Sequence, residues 1–192
     1  ASSAASDVYK RQMLEKNEII QSALRNLKIE ELNPMQEASL EQATGRKDVI
    51  LLSPTGSGKT LAYLLPLLLT LKPNDDSVQV LILVPSRELA LQIDSVFKAM
   101  GTSWKTCCCY GGHPIAEEKK SILSNHPAII IGTPGRITDH LSKGNFNPET
   151  IETLIIDEFD KSLEFGFHDE MAEIITPVSY THLRAHETPE HL

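Results

Sequence analysis

Ser53-Pro54-Thr55-Gly56-Ser57-Gly58-Lys59-Thr60 is the stretch on which the reading turns. An aliphatic run, Asp48-Val49-Ile50-Leu51-Leu52, leads into it and a leucine-rich run, Leu61 to Leu71, leaves it. Strand, glycine loop, Lys-Thr and helix is the layout of a phosphate-binding loop. Glycines let the backbone curl until consecutive N–H groups face one anion, and the helix that starts there adds the positive end of its dipole. In this pattern Lys59 reaches the β- and γ-phosphates and the Thr60 hydroxyl is a Mg²⁺ ligand. The strict pattern wants glycine where this chain has Ser53. Gly58-Lys59-Thr60 alone also arises by chance in loops, so the flanking strand and helix carry the assignment.

Working outward, strand and helix alternate. Upstream, Leu14, Ile19, Ile20, Ala23, Leu24 and Leu27 recur at helical spacing, and Asn33-Pro34 ends that helix and opens another bearing Gln36, Ala38 and Leu40. Gly45-Arg46-Lys47-Asp48 reads as a turn before the first strand. Leu61 to Leu71 is apolar all round, so its helix should be buried, with Pro66 kinking it. Downstream, strands are expected at Val78 to Val84, Trp104 to Tyr110, Ala128 to Ile131 and Thr153 to Asp157. Helices are expected from Pro85-Ser86 to Met100, Pro114 to Asn125, Thr133-Pro134-Gly135 to Ser142, and Asp169 to Ile175. Continuous aliphatic strands alternating with helices mean an α/β fold with a parallel sheet covered by helices on both faces. Ligands of such sheets sit beyond the carboxyl ends of the strands.

Composition bounds the rest. The 192 residues, 41% hydrophobic and 23% charged, suit one globular domain. No apolar run reaches the about 18 residues that span a bilayer, so no membrane partner is expected. A formal net charge of −8 gives no whole-chain attraction to nucleic acid, and any such binding must come from a local patch. Cys107-Cys108-Cys109 lacks metal or redox spacing and reads as three reduced thiols on a strand, which points to the cytoplasm. Residues 1–12 and 177–192 lack apolar period, the latter carrying His182, His186 and His191. Both resemble translated sequencing-adaptor DNA more than natural protein. The expected domain is therefore 13–176, with foreign or disordered ends and a natural chain that continues beyond Thr176.

The second chemical element is Ile155-Ile156-Asp157-Glu158-Phe159-Asp160. An apolar strand delivers consecutive carboxylates to its carboxyl end. Asp157 suits Mg²⁺, held through water, and Glu158 can orient and deprotonate an attacking water. An acidic turn is the bland alternative, weakened by the phosphate loop upstream.

Asp157-Glu158-Phe159-Asp160 resembles the Asp-Glu-Ala-Asp signature of DEAD-box RNA helicases, with Phe for Ala. Ser53 to Thr60 resembles that family's Ala-x-Thr-Gly-Ser-Gly-Lys-Thr loop, which has no glycine at the first position. Pro85-Ser86-Arg87-Glu88-Leu89-Ala90 resembles Pro-Thr-Arg-Glu-Leu-Ala, Gly111-Gly112 matches a glycine doublet, and Thr133-Pro134-Gly135-Arg136 matches Thr-Pro-Gly-Arg. Asn33-Pro34-Met35-Gln36 resembles the end of the glutamine motif, although Lys28-Ile29 stands where the family has Gly-Phe and no Phe or Trp precedes Gln36.

The resemblance implies a RecA-like P-loop domain that binds ATP and Mg²⁺, with Gln36 reading adenine through its donor and acceptor. It implies that Pro85, Ser86, Arg87, Gly111, Gly112, Thr133, Pro134, Gly135 and Arg136 hold one RNA strand by its phosphates, and that Lys59, Asp157 and Glu158 serve hydrolysis. Asp160 links motifs rather than touching ligand. The family's Ser-Ala-Thr motif and its C-terminal RecA-like domain, source of the arginines that complete the ATP site, are not in this chain. The expectation is a monomeric half of an RNA-dependent ATPase. Two other readings stay open: a DNA helicase domain of the same superfamily, against which Gln36 and Asp160 speak, and a non-catalytic ATP-gated RNA scaffold, against which the intact Lys59, Thr60, Asp157 and Glu158 speak.

Overall fold

The computed structural model describes residues 17–42, 49–54 and 56–180. Leu14, the expected turn at residues 45–48, Thr55 and most of both suspect ends lie outside the described residues. The chain falls into two compact units. One holds residues up to Pro73 together with Val96–Ser103, the other Asn74–Ser95 and the residues from Trp104 onward.

In the first unit, helix α1 covers residues 17–27 and buries Ile20 and Ala23. It ends at Lys28, which takes a left-handed conformation (φ 57°) while the Ile29 N–H bonds back to the Leu24 carbonyl at 3.0 Å. Helix α2 (Pro34–Gln42) starts with proline, whose missing N–H costs nothing in a first turn. Helix α3 (Lys59–Thr70) buries Ala62, Leu64, Leu65, Leu67 and Leu68 and contains Pro66. The Ser39 hydroxyl of α2 donates to the Ala62 carbonyl of α3. Over its described part, residues 49–52, the strand expected at 48–52 is not formed. Among the described residues these four pair with nothing in a sheet, and Val49, Ile50 and Leu52 are exposed at 50, 84 and 90%. A short aliphatic run becomes a strand only when a neighbour supplies hydrogen bonds and a surface to bury it.

The second unit is a four-stranded parallel sheet in the order β2-β3-β1-β4, with β1 (Val80–Leu83), β2 (Thr106–Cys109), β3 (Ile129–Gly132) and β4 (Thr153–Ile156). Around it run α4 (Arg87–Ala99), α5 (Ile115–Asn125), α6 (Pro134–Ser142), α7 (Phe159–Glu164) and α8 (His168–Tyr180). One sheet face, with Leu81, Leu83, Cys107, Cys109 and Ile130, joins Ile122 of α5, Ile137 of α6 and Met171, Ile174 and Val178 of α8 in a single core. On the other face the Cys108 thiol reaches the Ala90 carbonyl of α4 at 3.6 Å, and Thr106 bonds Asp94 of the same helix. Both faces are therefore covered, as the unbroken aliphatic strands require.

The expected helix at 169–175 is longer than its periodicity indicated. It runs to Tyr180 across Pro177 and buries Val178, beyond the expected end of the domain at Thr176. Among the described residues no helix is long and apolar enough to cross a membrane.

Candidate functional site

The glycine loop is built by its own turns and by two amides from the start of α2. Gly56 and Gly58 have φ of 81° and 85°, which side-chain-bearing residues rarely adopt. The Ser53 and Ser57 hydroxyls bond each other at 2.6 Å. Asn33 and Gln36 form a reciprocal cap: the Gln36 N–H donates to Asn33 Oδ1 and the Asn33 N–H donates to Gln36 Oε1, both at 3.0 Å. Their remaining donors point at the loop, Asn33 Nδ2 to the Ser57 carbonyl at 3.0 Å and Gln36 Nε2 to the Gly58 carbonyl at 3.3 Å. Conformation requires glycine at 58, and a Cβ there would sit 2.5 Å from Gln36 Nε2 and displace that amide, whereas Gly56 has open space around it. Helix α3 begins immediately at Lys59, and its first N–H groups have no partner within the helix. Loop, dipole and Lys59 together make an anion cradle that suits phosphate.

Gln36 thus has a placement the sequence reading did not contain. It is buried and its amide braces the loop. An amide oxygen accepts twice and its nitrogen donates twice, so this bond leaves capacity for a base edge. Asn33 was missed as a loop brace. Its signal was the Asn-x-x-Gln spacing of a reciprocal cap.

The second unit gathers its motifs on one edge. Leu83 is opposite Gly132 and Ile156, and Gly132 is opposite Cys109, so the four strands end level. Directly after them come Pro85-Ser86-Arg87 behind β1, Gly111-Gly112 behind β2, Thr133-Pro134-Gly135-Arg136 behind β3 and Asp157-Glu158 behind β4. The strand order changes direction at β1, with β3 and β2 on one side and β4 on the other. That is where open parallel sheets bind ligands.

Each turn has a local cause. Ser86 caps α4 by accepting the Leu89 N–H at 3.3 Å. Pro134 opens α6 behind Thr133. Gly132 has no room for a side chain, since a Cβ would meet the Cys109 carbonyl oxygen at 2.6 Å and Ile137 Cδ1 at 2.5 Å. Gly111, Gly112 and Gly135 are exposed, as is Arg87, whose guanidinium lies 5.1 Å from the centre of the Tyr110 ring.

Asp157 is buried at 9% exposure. Its N–H continues the sheet to the Leu83 carbonyl, and its Oδ1 accepts the Glu158 N–H at 2.9 Å. Glu158 is left-handed (φ 50°, ψ 49°) at the N-terminus of α7. Such a conformation costs a non-glycine residue about 1 kcal/mol and is tolerated where geometry matters more than local comfort. Lys161, one helical turn on, lies 3.0 Å from Glu158 Oε2, and this contact raises the lysine above its ordinary pKa.

A buried polar cluster behind this edge was absent from the sequence reading. Glu118 of α5 accepts the Tyr110 N–H at 2.9 Å and lies beside His113, Arg136 and His140. No motif announces it, because its members are distant in sequence and become neighbours only when α5 and α6 pack on the sheet. Cys109, Glu118 and His140 place potential ligand atoms within 4.8 Å of one another. A metal would need the thiolate, but the hydrogen bond with Cys107 and then burial push the Cys109 thiol far up. Both ring nitrogens of His140 already have partners, Glu118 and Asn145. The cluster is a hydrogen-bond network rather than a metal centre.

Three comparisons with known proteins bear on this geometry. The profile of the DEAD/DEAH box helicase family matches residues 33–189. A DEAD-box ATP-dependent RNA helicase CshA from Bacillus cereus (strain ATCC 10987 / NRS 248) is 36% identical over 162 residues, 83% of this chain and 31% of that protein. The CshA helicase of Bacillus subtilis (strain 168) is 32% identical over 165 residues, 85% of this chain and 33% of that protein. The chain thus spans about a third of the length of these curated relatives. Among solved structures, a hypothetical ATP-dependent RNA helicase from Sulfolobus tokodaii superposes with a TM-score of 0.75 at 32% identity, covering 85% of this chain and 47% of that one.

Proposed function

The chain belongs to the DEAD/DEAH box helicase family, and from that premise we propose that it is the ATP-binding N-terminal RecA-like domain of an ATP-dependent RNA helicase. The level carboxyl edge of the sheet, with a family motif behind each strand, is the observation that carries this reading. ATP is the proposed nucleotide, with Gln36 contributing adenine selectivity and the loop from Ser53 to Thr60, with Lys59, taking the phosphates. The fit rests on the paired left-handed glycines and on the space around Gly56. Thr60 and Asp157 are the proposed Mg²⁺ ligands, and the donor set is the hard oxygen chemistry that ion requires. Bound Mg²⁺ neutralises charge on the phosphates. Glu158 orients the attacking water and takes its proton. The exposed Arg87 and the glycine turns at 111–112 and 133–135 face single-stranded RNA through its phosphates, which yields little sequence preference.

A second RecA-like domain is the partner that would complete the machine by supplying arginines for charge developing on the γ-phosphate. Such a residue is worth roughly 10³–10⁵ in rate in related phosphoryl-transfer enzymes. We place the protein in the cytoplasm as a monomer, a location supported by Cys107, Cys108 and Cys109 standing as reduced thiols.

The test is a titration of the 192-residue chain with Mg·ADP and Mg·GDP, followed by turnover assays. ADP should bind more tightly than GDP, and Lys59→Ala should weaken ADP at least about tenfold, the loss of one charge-assisted contact. Equal curves for the two nucleotides remove the role given to Gln36, and unchanged binding in Lys59→Ala removes the loop assignment. ATP turnover should stay at background without the second domain. Linking that domain should restore RNA-dependent turnover, and Glu158→Gln should abolish it again.

A further inference from the structure

Arg136 is the cation of the Thr-Pro-Gly-Arg turn, yet its side chain is only 12% exposed. Its Nη2 donates to the His113 carbonyl at 2.8 Å, and its Nη1 lies 3.8 Å from Glu118 Oε2. Glu118 is itself 3% exposed and ringed by donors. Oε1 accepts the Tyr110 N–H at 2.9 Å and lies 2.8 Å from His113 Nε2. Oε2 lies 2.5 Å from Nε2 of the fully buried His140. The Asn145 amide donates to His140 Nδ1 at 2.9 Å, which leaves the ring proton on Nε2, aimed at Glu118. One carboxylate therefore ties together the end of β2, the turn after Gly111-Gly112, α5 and α6. Little of Arg136 is open to a phosphate from solvent, and its guanidinium is directed at the His113 carbonyl and a buried carboxylate. Arg87, by contrast, is exposed.

We propose that Glu118 and Arg136 are positioning residues for RNA binding: Arg136 pairs with Glu118 and the His113 carbonyl instead of with a phosphate, and so locks the Gly111-Gly112 turn to the first turn of α6. Phosphate contact is then left to the exposed backbone N–H groups of Gly111, Gly112 and Gly135 and to the Arg87 guanidinium. The proposal rests on the RNA reading above and divides the labour within it. It also reverses an electrostatic expectation. Removing a negative charge near a phosphate site ordinarily tightens binding, whereas removing the Glu118 charge should weaken it by loosening the turn.

The deciding measurement is the salt dependence of binding of a fluorescent oligouridylate to the 192-residue chain. Each phosphate contact contributes about 0.7 to the slope of log K against log salt on a single strand. Arg87→Ala should lower the slope by about that amount. Arg136→Ala and Glu118→Gln should each weaken binding about tenfold at every salt concentration with the wild-type slope retained. Arg136→Lys, which keeps the charge and loses the two-point hold, should also weaken binding. It serves as the readout should the alanine variant fail to fold by circular dichroism.

Histidine ¹⁵N spectra give an arm independent of RNA. The His140 signal should be that of an Nε2–H ring in the wild type and should change in Glu118→Gln. A slope reduced by about 0.7 in Arg136→Ala, or wild-type affinity in Glu118→Gln, overturns the proposal while leaving RNA binding intact. Absence of RNA binding by the wild-type chain, with ADP binding retained, overturns the RNA reading and this proposal with it.

Discussion

The phosphate loop and the sheet edge hold functional backbone in place by different means. Around the loop the partners are neutral amides: Asn33 and Gln36 bond the Ser57 and Gly58 carbonyls, with the Gln36 amide where a Cβ on Gly58 would lie. At the sheet edge the strands end level by their own hydrogen-bond register, and a buried charged network behind β2 and α6 fixes the turns. A neutral brace can be broken and remade cheaply, about 1 kcal/mol per hydrogen bond. A buried carboxylate stripped of its partners is far costlier. The contacts that hold the loop are therefore the cheaper to exchange, and those that hold the turns at the sheet edge the costlier.

The largest contrast is in the packing of the two regions. Ile131→Ala, at the fully buried centre of the sheet, should cost about 2–5 kcal/mol in urea unfolding. Ile50→Ser, at a position 84% exposed, should change stability by no more than about 0.5 kcal/mol. Comparable losses from both would show that residues 49–52 form a core strand after all.

Next in size is the tight contact in the loop brace. Gly58→Ala introduces a Cβ 2.5 Å from Gln36 Nε2 at a φ of 85°. ADP affinity should fall about tenfold or more, equivalent to about 1.4 kcal/mol, as the loop shifts. Retained affinity in calorimetry would mean that Gln36 does not set the loop's shape.

A smaller effect of opposite sign is expected at Lys28, left-handed at φ 57° where the resembling family carries glycine. Lys28→Gly should stabilise the first unit by up to about 1 kcal/mol, since glycine adopts this conformation without strain. A lower midpoint in thermal unfolding would show that the Lys28 side chain contributes more than its backbone strain costs.

Smallest of all is the Lys161–Glu158 pair, exposed on α7. Because the folded lysine is raised above its ordinary pKa, its contribution is complete below that ordinary value and is lost as pH rises through the folded one. Lys161→Ala should therefore leave the melting temperature at neutral pH essentially unchanged. A marked fall would show that the pair holds the left-handed Glu158 in place.

Much of this was legible in the chain. The aliphatic runs at 78–84 and 128–131 identify strands covered on both faces, because only a buried strand dispenses with polar alternation. Ser86 and Pro134 mark helix starts by their capping chemistry. Helix α7 was not legible, since Phe159–Glu164 is too short for a period to declare itself. Nor was the burial of Val178, for Pro177 reads locally as an end of helix and only the core beneath α8 makes its continuation worthwhile.

By itself the sequence determined the chemistry: which residues can cradle phosphate, which carboxylates follow a strand, and which strands must be covered, since each follows from residue type and short spacing. Tertiary structure alone decided that Gln36 turns toward Gly58, that residues 49–52 remain unpaired, and that Arg136 faces Glu118 rather than solvent. Those outcomes depend on groups far apart along the chain, such as Glu118 and His140, whose encounter is set by how α5 and α6 lie on the sheet. No local propensity encodes such a meeting. It is fixed by the burial of both helices and by the need of every buried charge for a partner.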